Sequence, residues 1–527
     1  ALTIISPNNG EVWLVGSSQS ISWSKSGTIA NAKLEYSTDG GVLYPNLIIA
    51  STPAAAGSYS WIIPDAISNT VRVKITNLVD TTVNDASDAN FKVAGSLNLT
   101  APNGGEAWIV SSSQNIAWTK SGTIANVKLE YSTDGGTTYP NLIAASVDAA
   151  LGTPYLWTIP DLPSTTVRVK VTNTADATVY DISNANFSIK GSFTLTSPNG
   201  AETWIVGESR NITWTKTGSI ASAKLDYSTN GGTTYPNVIV ASTSAAGLSY
   251  AWTVPDAISA ALKVKITDVA DTSVFDESNA NFTIKGSLTL TAPNSGEVWV
   301  VGESRNITWT RTGSIANAKL EYSTDGGTTY PNVIIASTDA TTGTYAWTVA
   351  DAIGITLRVK ITNVADTTVS DTSNANFEVK GSLALTAPNG AETWIVGNSP
   401  NITWIRTGSI ANVKLEYSVD GGLSYPNVII LSTPAATGSY AWTVPDVIGT
   451  TLRVKITNAA DASVSDASNA NFKVAGSFTL TAPNGAETWI VGATQNITWT
   501  KTGSIANAKL EYSTDGGVTY PAGNVIT

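Results

Sequence analysis

Seventeen tryptophans fall into three classes that repeat every 95 or 96 residues, and this period constrains the fold more tightly than any other feature of the chain. Trp13, Trp108, Trp204, Trp299, Trp394 and Trp489 form the first class, and Trp23, Trp118, Trp214, Trp309, Trp404 and Trp499 the second. Trp61, Trp157, Trp252, Trp347 and Trp442 form the third. A fixed period of this length marks one folded unit copied in tandem, so the object to explain is a single copy. The copies divide at a glycine followed by serine: Gly95, Gly191, Gly286, Gly381 and Gly476. That places modules at 1–94, 95–190, 191–285, 286–380 and 381–475, with 476–527 as the N-terminal half of a sixth. Units of about 100 residues are large enough to bury their own core.

Module four shows the local pattern. Ser287 to Thr291 alternates apolar and polar residues and reads as a strand, followed by a Pro293-Asn294-Ser295-Gly296 turn and a short strand from Glu297 to Val301. Ile307 and Trp309 share one face of the next strand, as do Leu320 and Tyr322, Tyr345 and Trp347, and Leu357, Val359 and Ile361. Asp325-Gly326-Gly327 supplies the positive φ that a hairpin demands, and Phe377 with Val379 opens the last strand. Seven or eight short strands with no helical period predict an all-β unit, a two-sheet antiparallel sandwich of immunoglobulin or fibronectin type III character. Trp309 and Trp347 belong to its core; Trp299 alternates with Val298 and Val300, so either of its faces could be the buried one, and a sugar-stacking role stays open there.

Composition narrows the chemistry. With 29 basic and 40 acidic residues the net charge is −11, which offers neither a nucleic-acid footprint nor an anionic-membrane patch. The chain has no His, Cys or Met, so there is no imidazole base, thiolate nucleophile or disulfide framework. The expectation is a protein that is not an enzyme and needs no cofactor. No apolar run is long enough to span a membrane. The chain opens on Ala1, which reads as a processed or excised product with any signal or anchor outside it.

The strings Ser6 to Trp13, Ile21-Ser22-Trp23, Tyr36 to Gly41, Tyr59-Ser60-Trp61 and Asp85 to Val93 carry a resemblance. They look like an Ig-like repeat found in tandem in secreted and surface proteins of bacteria and archaea. The opening also resembles the Ig-like module of the Ser/Thr-rich GPI-anchored cell-wall family of fungi. The resemblance implies an extracellular or cell-surface setting and a stalk, spacer, adhesive or filament role, with no catalytic residues to transfer. Ser323, Asp325, Gly327 and Tyr330 further resemble an Asp box, the hairpin of sialidase-type propellers, but one box per module does not fit blades of about 40 to 50 residues.

Carboxylates are the metal ligands that remain. Asp80 and Asp85, Asp176 and Asp181, Asp271 and Asp276, Asp366 and Asp371, and Asp461 and Asp466 flank the final hairpin of each complete module. Turn capping is the ordinary reading of such residues, and a calcium site is the alternative. Lys25, Lys120, Lys216 and Lys501 end the tryptophan strand, where an isopeptide bond to Asn could be imagined. Arg311 and Arg406 hold the same position and cannot form that amide, which favours a cation at the sheet edge. Asn-x-Ser/Thr triplets begin at Asn98, Asn186, Asn211, Asn281, Asn306, Asn401 and Asn496, each a glycan acceptor in principle.

Two or three residues separate the last strand of one module from the first of the next, as in Val379 to Leu383, too few for a floppy coil. At about 3.3 Å per strand residue, each module would advance the axis by about 35 to 45 Å. The expected function is therefore a non-catalytic extended rod, the stalk or the filament or sheath subunit of a cell-surface structure. An adhesin or glycan-binding arm is the alternative, and a spacer of a secreted enzyme comes third. The half module ending at Thr527 is expected to continue in a longer chain, or else to be completed by strands of a neighbouring subunit. Expected partners are further copies, other surface proteins or glycans.

Overall fold

A computed structural model describes residues 1–149 and 154–527; positions 150–153 of module two lie outside it. Module one has nine strands: β1 (Leu2–Ser6), β2 (Val12–Leu14), β3 (Ser18–Lys25), β4 (Asn31–Ser37), β5 (Asn46–Pro53), β6 (Ser58–Ile62), β7 (Ser68–Asn77), β8 (Asn84–Ala86) and β9 (Phe91–Ala94). They form a three-stranded sheet in the order β1-β3-β6 and a six-stranded sheet in the order β2-β9-β7-β4-β5, with β8 paired to β7. The same order recurs in modules two to five. The chain is thus all-β, with five Ig-like sandwiches in tandem.

Two strands escape the sequence reading. Asn332–Asp339, the module-four counterpart of β5, has no fully buried residue, because it is an edge strand with one partner, and so it leaves no alternating signature. Ser370–Thr372 is only three residues long. The larger sheet is also mixed: β2 runs parallel to β9, with Trp13 opposite Val93, while the other pairs of module one are antiparallel.

Each core is built around the tryptophans. Trp13 meets Trp61 edge-on at 6.1 Å and Phe91 at 4.9 Å, and Tyr36 packs on Trp61 at 5.1 Å. Trp23 is buried and donates its indole N–H to the Ala54 carbonyl at 3.0 Å, which removes the cost of burying that polar group. The ambiguity at Trp299 is resolved inward: its short strand pairs in parallel with the last strand, which turns Val298 to solvent and the indole onto Trp347 and Phe377. A sugar platform on that ring is excluded by burial.

The chain forms two units. The first comprises Ala1–Trp204, Glu208–Val254 and Ser259–Ile284; the second comprises Ile205–Gly207, Pro255–Ile258 and Lys285–Thr527. In the second unit, residues 476–527 contain one two-stranded sheet, Ser477–Ala482 with Thr498–Thr502. There Trp499 is 39% exposed, against 3% for its counterpart Trp309.

One carboxylate stitches the two layers together. β1 is an edge strand, and its outward Ile4 N–H is capped by Asp85 of β8 at 2.7 Å. Asp181, Asp276, Asp371 and Asp466 cap Leu99, Leu195, Leu290 and Leu385 in the same way. Asp371→Ala leaves a partly buried N–H without an acceptor, so module four is expected to lose about 1–3 kcal/mol in denaturant unfolding. Asp371→Asn keeps an acceptor oxygen and should recover most of the loss.

Candidate functional site at the module junctions

The aspartates singled out in the sequence do two separate jobs. Asp85, Asp181, Asp276, Asp371 and Asp466 are the layer stitches just described. Asp80 caps its own turn through the Thr82 amide at 3.1 Å, and Asp176, Asp271, Asp366 and Asp461 do the same through Thr178, Ser273, Thr368 and Ser463. The last four also receive a lysine from the preceding module. Within the first unit Lys92 bridges Asp176, and Lys190 bridges Asp271 at 3.1 Å. Within the second, Lys285 bridges Asp366 at 3.1 Å and Lys380 bridges Asp461 at 3.4 Å. Module one ends in Ala94 where module two has Lys190; Lys92, on the same strand, reaches the next module in its place. Among the described residues no three Asp or Glu converge into a metal-sized cluster.

A second contact at the same joints was not legible in the sequence. Asp65 accepts the Thr123 amide at 3.0 Å and also takes the Thr123 hydroxyl. Asp161 holds Ser219 through the amide at 2.8 Å and the hydroxyl at 2.7 Å. In the second unit Asp256 holds Ser314, Asp351 holds Ser409 and Asp446 holds Ser504, with amide distances of 3.0, 2.9 and 2.9 Å. Every pair is separated by 58 residues. The signal was there in the repeat phase: an Asp after Pro or Ala in the loop before the β7 counterpart, and a Gly-Ser/Thr-Ile string in the next copy. The hydroxyl and amide of the following module hold the Asp65, Asp161 and Asp446 carboxyls below the ordinary aspartate value, the hydroxyl contributing most.

Glycine makes the approach close enough. Gly122 has φ +77°, and a Cβ there would lie 3.0 Å from Val15 and 3.1 Å from Ile67 of the preceding module. The linker Gly191 has no room either, since a Cβ would meet the Thr217 carbonyl oxygen at 2.7 Å. Each joint between complete modules therefore combines a two-point carboxylate clamp, an ion pair and an apolar contact made over a bare backbone, and the joint to the half module keeps the clamp and the apolar contact over Gly503. The joint between modules two and three also borders a cleft of about 490 Å³, lined in part by Pro163, Ile189, Ile220, Val269 and Val274.

The remaining candidates are structural. Lys25 and Lys216 donate to the Gly27 and Gly218 carbonyls at 3.3 and 2.8 Å, and Lys120 and Lys501 donate to the Ile124 and Ile505 carbonyls. Arg311 and Arg406 likewise reach the Gly313 and Gly408 carbonyls. All six cap a turn, and none reaches an Asn. In the Asp-box hairpin Asp39 accepts the Val42 and Leu43 amides at 2.9 and 3.1 Å, and Asn230 fills the place in module three. In modules one to five the hairpin tyrosine lies under a lysine: Lys170 stands 5.6 Å from the Tyr139 ring and 4.3 Å from Tyr180, and Lys360 stands 5.7 Å from Tyr330.

No family model matches the chain. No curated protein matches it either. Among solved structures it is similar to the Sidekick-1 immunoglobulin domains 1–5, at 10% identity over 90% of this chain and 98% of that one, with a TM-score of 0.20. It is similar also to the N-terminal eight Ig domains of Down Syndrome Cell Adhesion Molecule, at 10% identity, 91% and 63% coverage and a TM-score of 0.21. Fibronectin(III)-like modules of CbhA from Clostridium thermocellum match at 21% identity over 36% of this chain and 94% of theirs, with a TM-score of 0.14. The fold assignment stands on the strand order given above.

Proposed function

We propose that this chain is a non-catalytic structural protein of the cell surface or extracellular space, a stalk or filament subunit whose task is to hold distance. The observation that carries the reading is the repeated joint: the same Asp clamp on the next module's Ser or Thr, at the same 58-residue separation, in both units. A hinge left free for diffusion would not need a clamp and a glycine cut-out at each joint, with an ion pair added between complete modules. Tandem sandwiches of this kind are typical of extracellular proteins, and the proposed partners are further copies or other surface proteins. An acidic chain with a net charge of −11 does not suit nucleic acid. The adhesive alternative finds little support, because the tryptophans of modules one to five are mostly buried and the hairpin tyrosines described are covered by lysine.

Electron microscopy of the purified chain, with antibody labelling of intact cells, tests the reading. The expected result is surface label, with particles whose long dimension shortens by equal steps as whole modules are deleted. Compact particles, or label found only after the cells are opened, would overturn it.

A further inference from the structure

The structure separates the Asn-x-Ser/Thr triplets that the sequence leaves equivalent. Asn186 is half-buried and pinned: its Oδ1 accepts from Arg168 Nε at 2.7 Å, as Asn90, Asn376 and Asn471 do from their own arginines. Asn281 holds the same position in module three, but Lys263 stands there in place of the arginine, and Asn281 is exposed and unpinned. Asn211, Asn306 and Asn401 are different. Each lies on the central strand of a three-stranded sheet, one residue before a fully buried isoleucine, Ile212, Ile307 or Ile402. The alternation of a strand therefore turns the asparagine outward. All three are exposed and make no side-chain hydrogen bond to any described residue; Asn98, Asn281 and Asn496 share that exposure, so the three stand apart by their place on a central strand of a complete sheet.

Room is provided beside them. Asn211 faces Ala251 across the sheet, Asn306 faces Ala346 and Asn401 faces Ala441. On the other flank the partner strand has ended, since its pairing stops at Thr213, Thr308 and Thr403. Module two makes the contrast. Its Asn115 is followed by Ile116 and Ala117, so the triplet lacks its hydroxyl, and the residue opposite is the bulky Leu156.

The surroundings supply the reason for a cover. On the outer face of module four, Thr289, Thr291, Thr310, Thr344 and Thr348 surround Asn306 and Thr308, and no Asp, Glu, Lys or Arg shares their strand phase. The Thr291 and Thr308 hydroxyls bond each other at 2.7 Å. A sheet face without charge beside an open edge is where copies would stick together, and natural proteins protect such faces.

We propose that Asn211, Asn306 and Asn401 are glycan-acceptor sites. In the transfer the asparagine Nδ2 bonds to the anomeric carbon of an oligosaccharide carried on a lipid pyrophosphate. The bond from that carbon to the pyrophosphate oxygen breaks, the lipid pyrophosphate leaves with the electron pair, and one amide proton passes to a base of the transferase. Nothing is oxidised or reduced. A central strand cannot enter a transferase cleft once paired, so transfer precedes closure of the sheet, and the folded module has only to accommodate the sugar, as these three positions do.

The inference rests on the surface setting proposed above, because the lipid-linked donor and its transferase act on exported chains. Glycopeptide mass spectrometry of the full chain recovered from the cells that make it is the test. Peptides holding Asn211, Asn306 and Asn401 are expected to carry a common series of monosaccharide increments on Asn, while the Asn186 peptide keeps its bare mass. The triple variant N211Q/N306Q/N401Q, altered only at exposed positions, is expected to lose those increments. An exported chain with all three asparagines bare, with sugar only on Ser or Thr, or with Asn186 occupied equally, overturns the inference. A chain that surface labelling places inside the cell overturns the setting, and the inference falls with it.

Discussion

Trp309→Ala is expected to bring module four near its unfolding limit while leaving its neighbours as stable as before. The indole is 3% exposed and donates its N–H to the Ala340 carbonyl at 3.0 Å. Truncation removes its buried apolar surface, opens a cavity between two sheets that can close only in part, and leaves that carbonyl short of a donor. Substitutions of this kind cost about 3–5 kcal/mol. A small domain has about 5–15 kcal/mol in total, so the loss brings the module close to its limit at ordinary temperature. Single-chain stretching should show one unfolding event displaced to low force among otherwise equal ones. The chain carries its own control. Trp499, the same residue of the repeat, is 39% exposed, and Trp499→Ala should change stability by no more than about 0.5 kcal/mol. Equal effects at the two positions would mean that the second tryptophan class is not a core element.

The contrast between those two indoles also shows what the sequence could reveal. Residues that alternate with a buried partner, such as Ile307 with Trp309 or Leu357 with Val359, announce their strand and their face, because burial imposes a period of two. Asn332–Asp339 faces no such demand and stayed silent. Trp299 sat between two valines, and only the parallel pairing with the last strand, a contact from the far end of the module, chose its side. The junction was harder still. Asp80 and its copies were recognisable as turn caps, but the lysines that bridge Asp176, Asp271, Asp366 and Asp461 come from the preceding module, and no local pattern reports a partner 81 or more residues away. Asp65 and Asp161 sit in short Pro-Asp loops that read as ordinary punctuation. Their meaning lies in a fixed offset to the next copy, visible only once two copies are folded against each other.

Acid is expected to loosen the joints before it harms the modules, and the sign follows from the clamp. Asp65, Asp161 and Asp446 are held below the ordinary aspartate value of 3.8, chiefly by the hydroxyl of the next module's Thr or Ser and then by its amide. A carboxyl whose value falls on docking favours the docked joint while it is ionised. That contribution is complete above the undocked value and is lost as pH drops below it and through the depressed one. The Lys–Asp bridges at the same joints are partly exposed and open to screening, so salt should remove only the smaller share of the coupling. The two perturbations therefore separate the two contacts. At pH 7 in high salt the angle between adjacent modules of one unit, read from particle images, should spread only slightly. As pH falls below 3.8 and through the depressed values it should spread progressively wider at the Asp65, Asp161 and Asp446 joints, while tryptophan fluorescence still reports closed cores. Asp351→Ala should widen the angular spread between modules four and five alone at neutral pH, since it removes the acceptor of the Ser409 amide and hydroxyl together, and Lys380→Ala should act like salt. If Asp351→Ala leaves the angular spread unchanged, the clamp does not hold the joint, and stiffness must come from the apolar contact that Val301 and Ile353 make over Gly408.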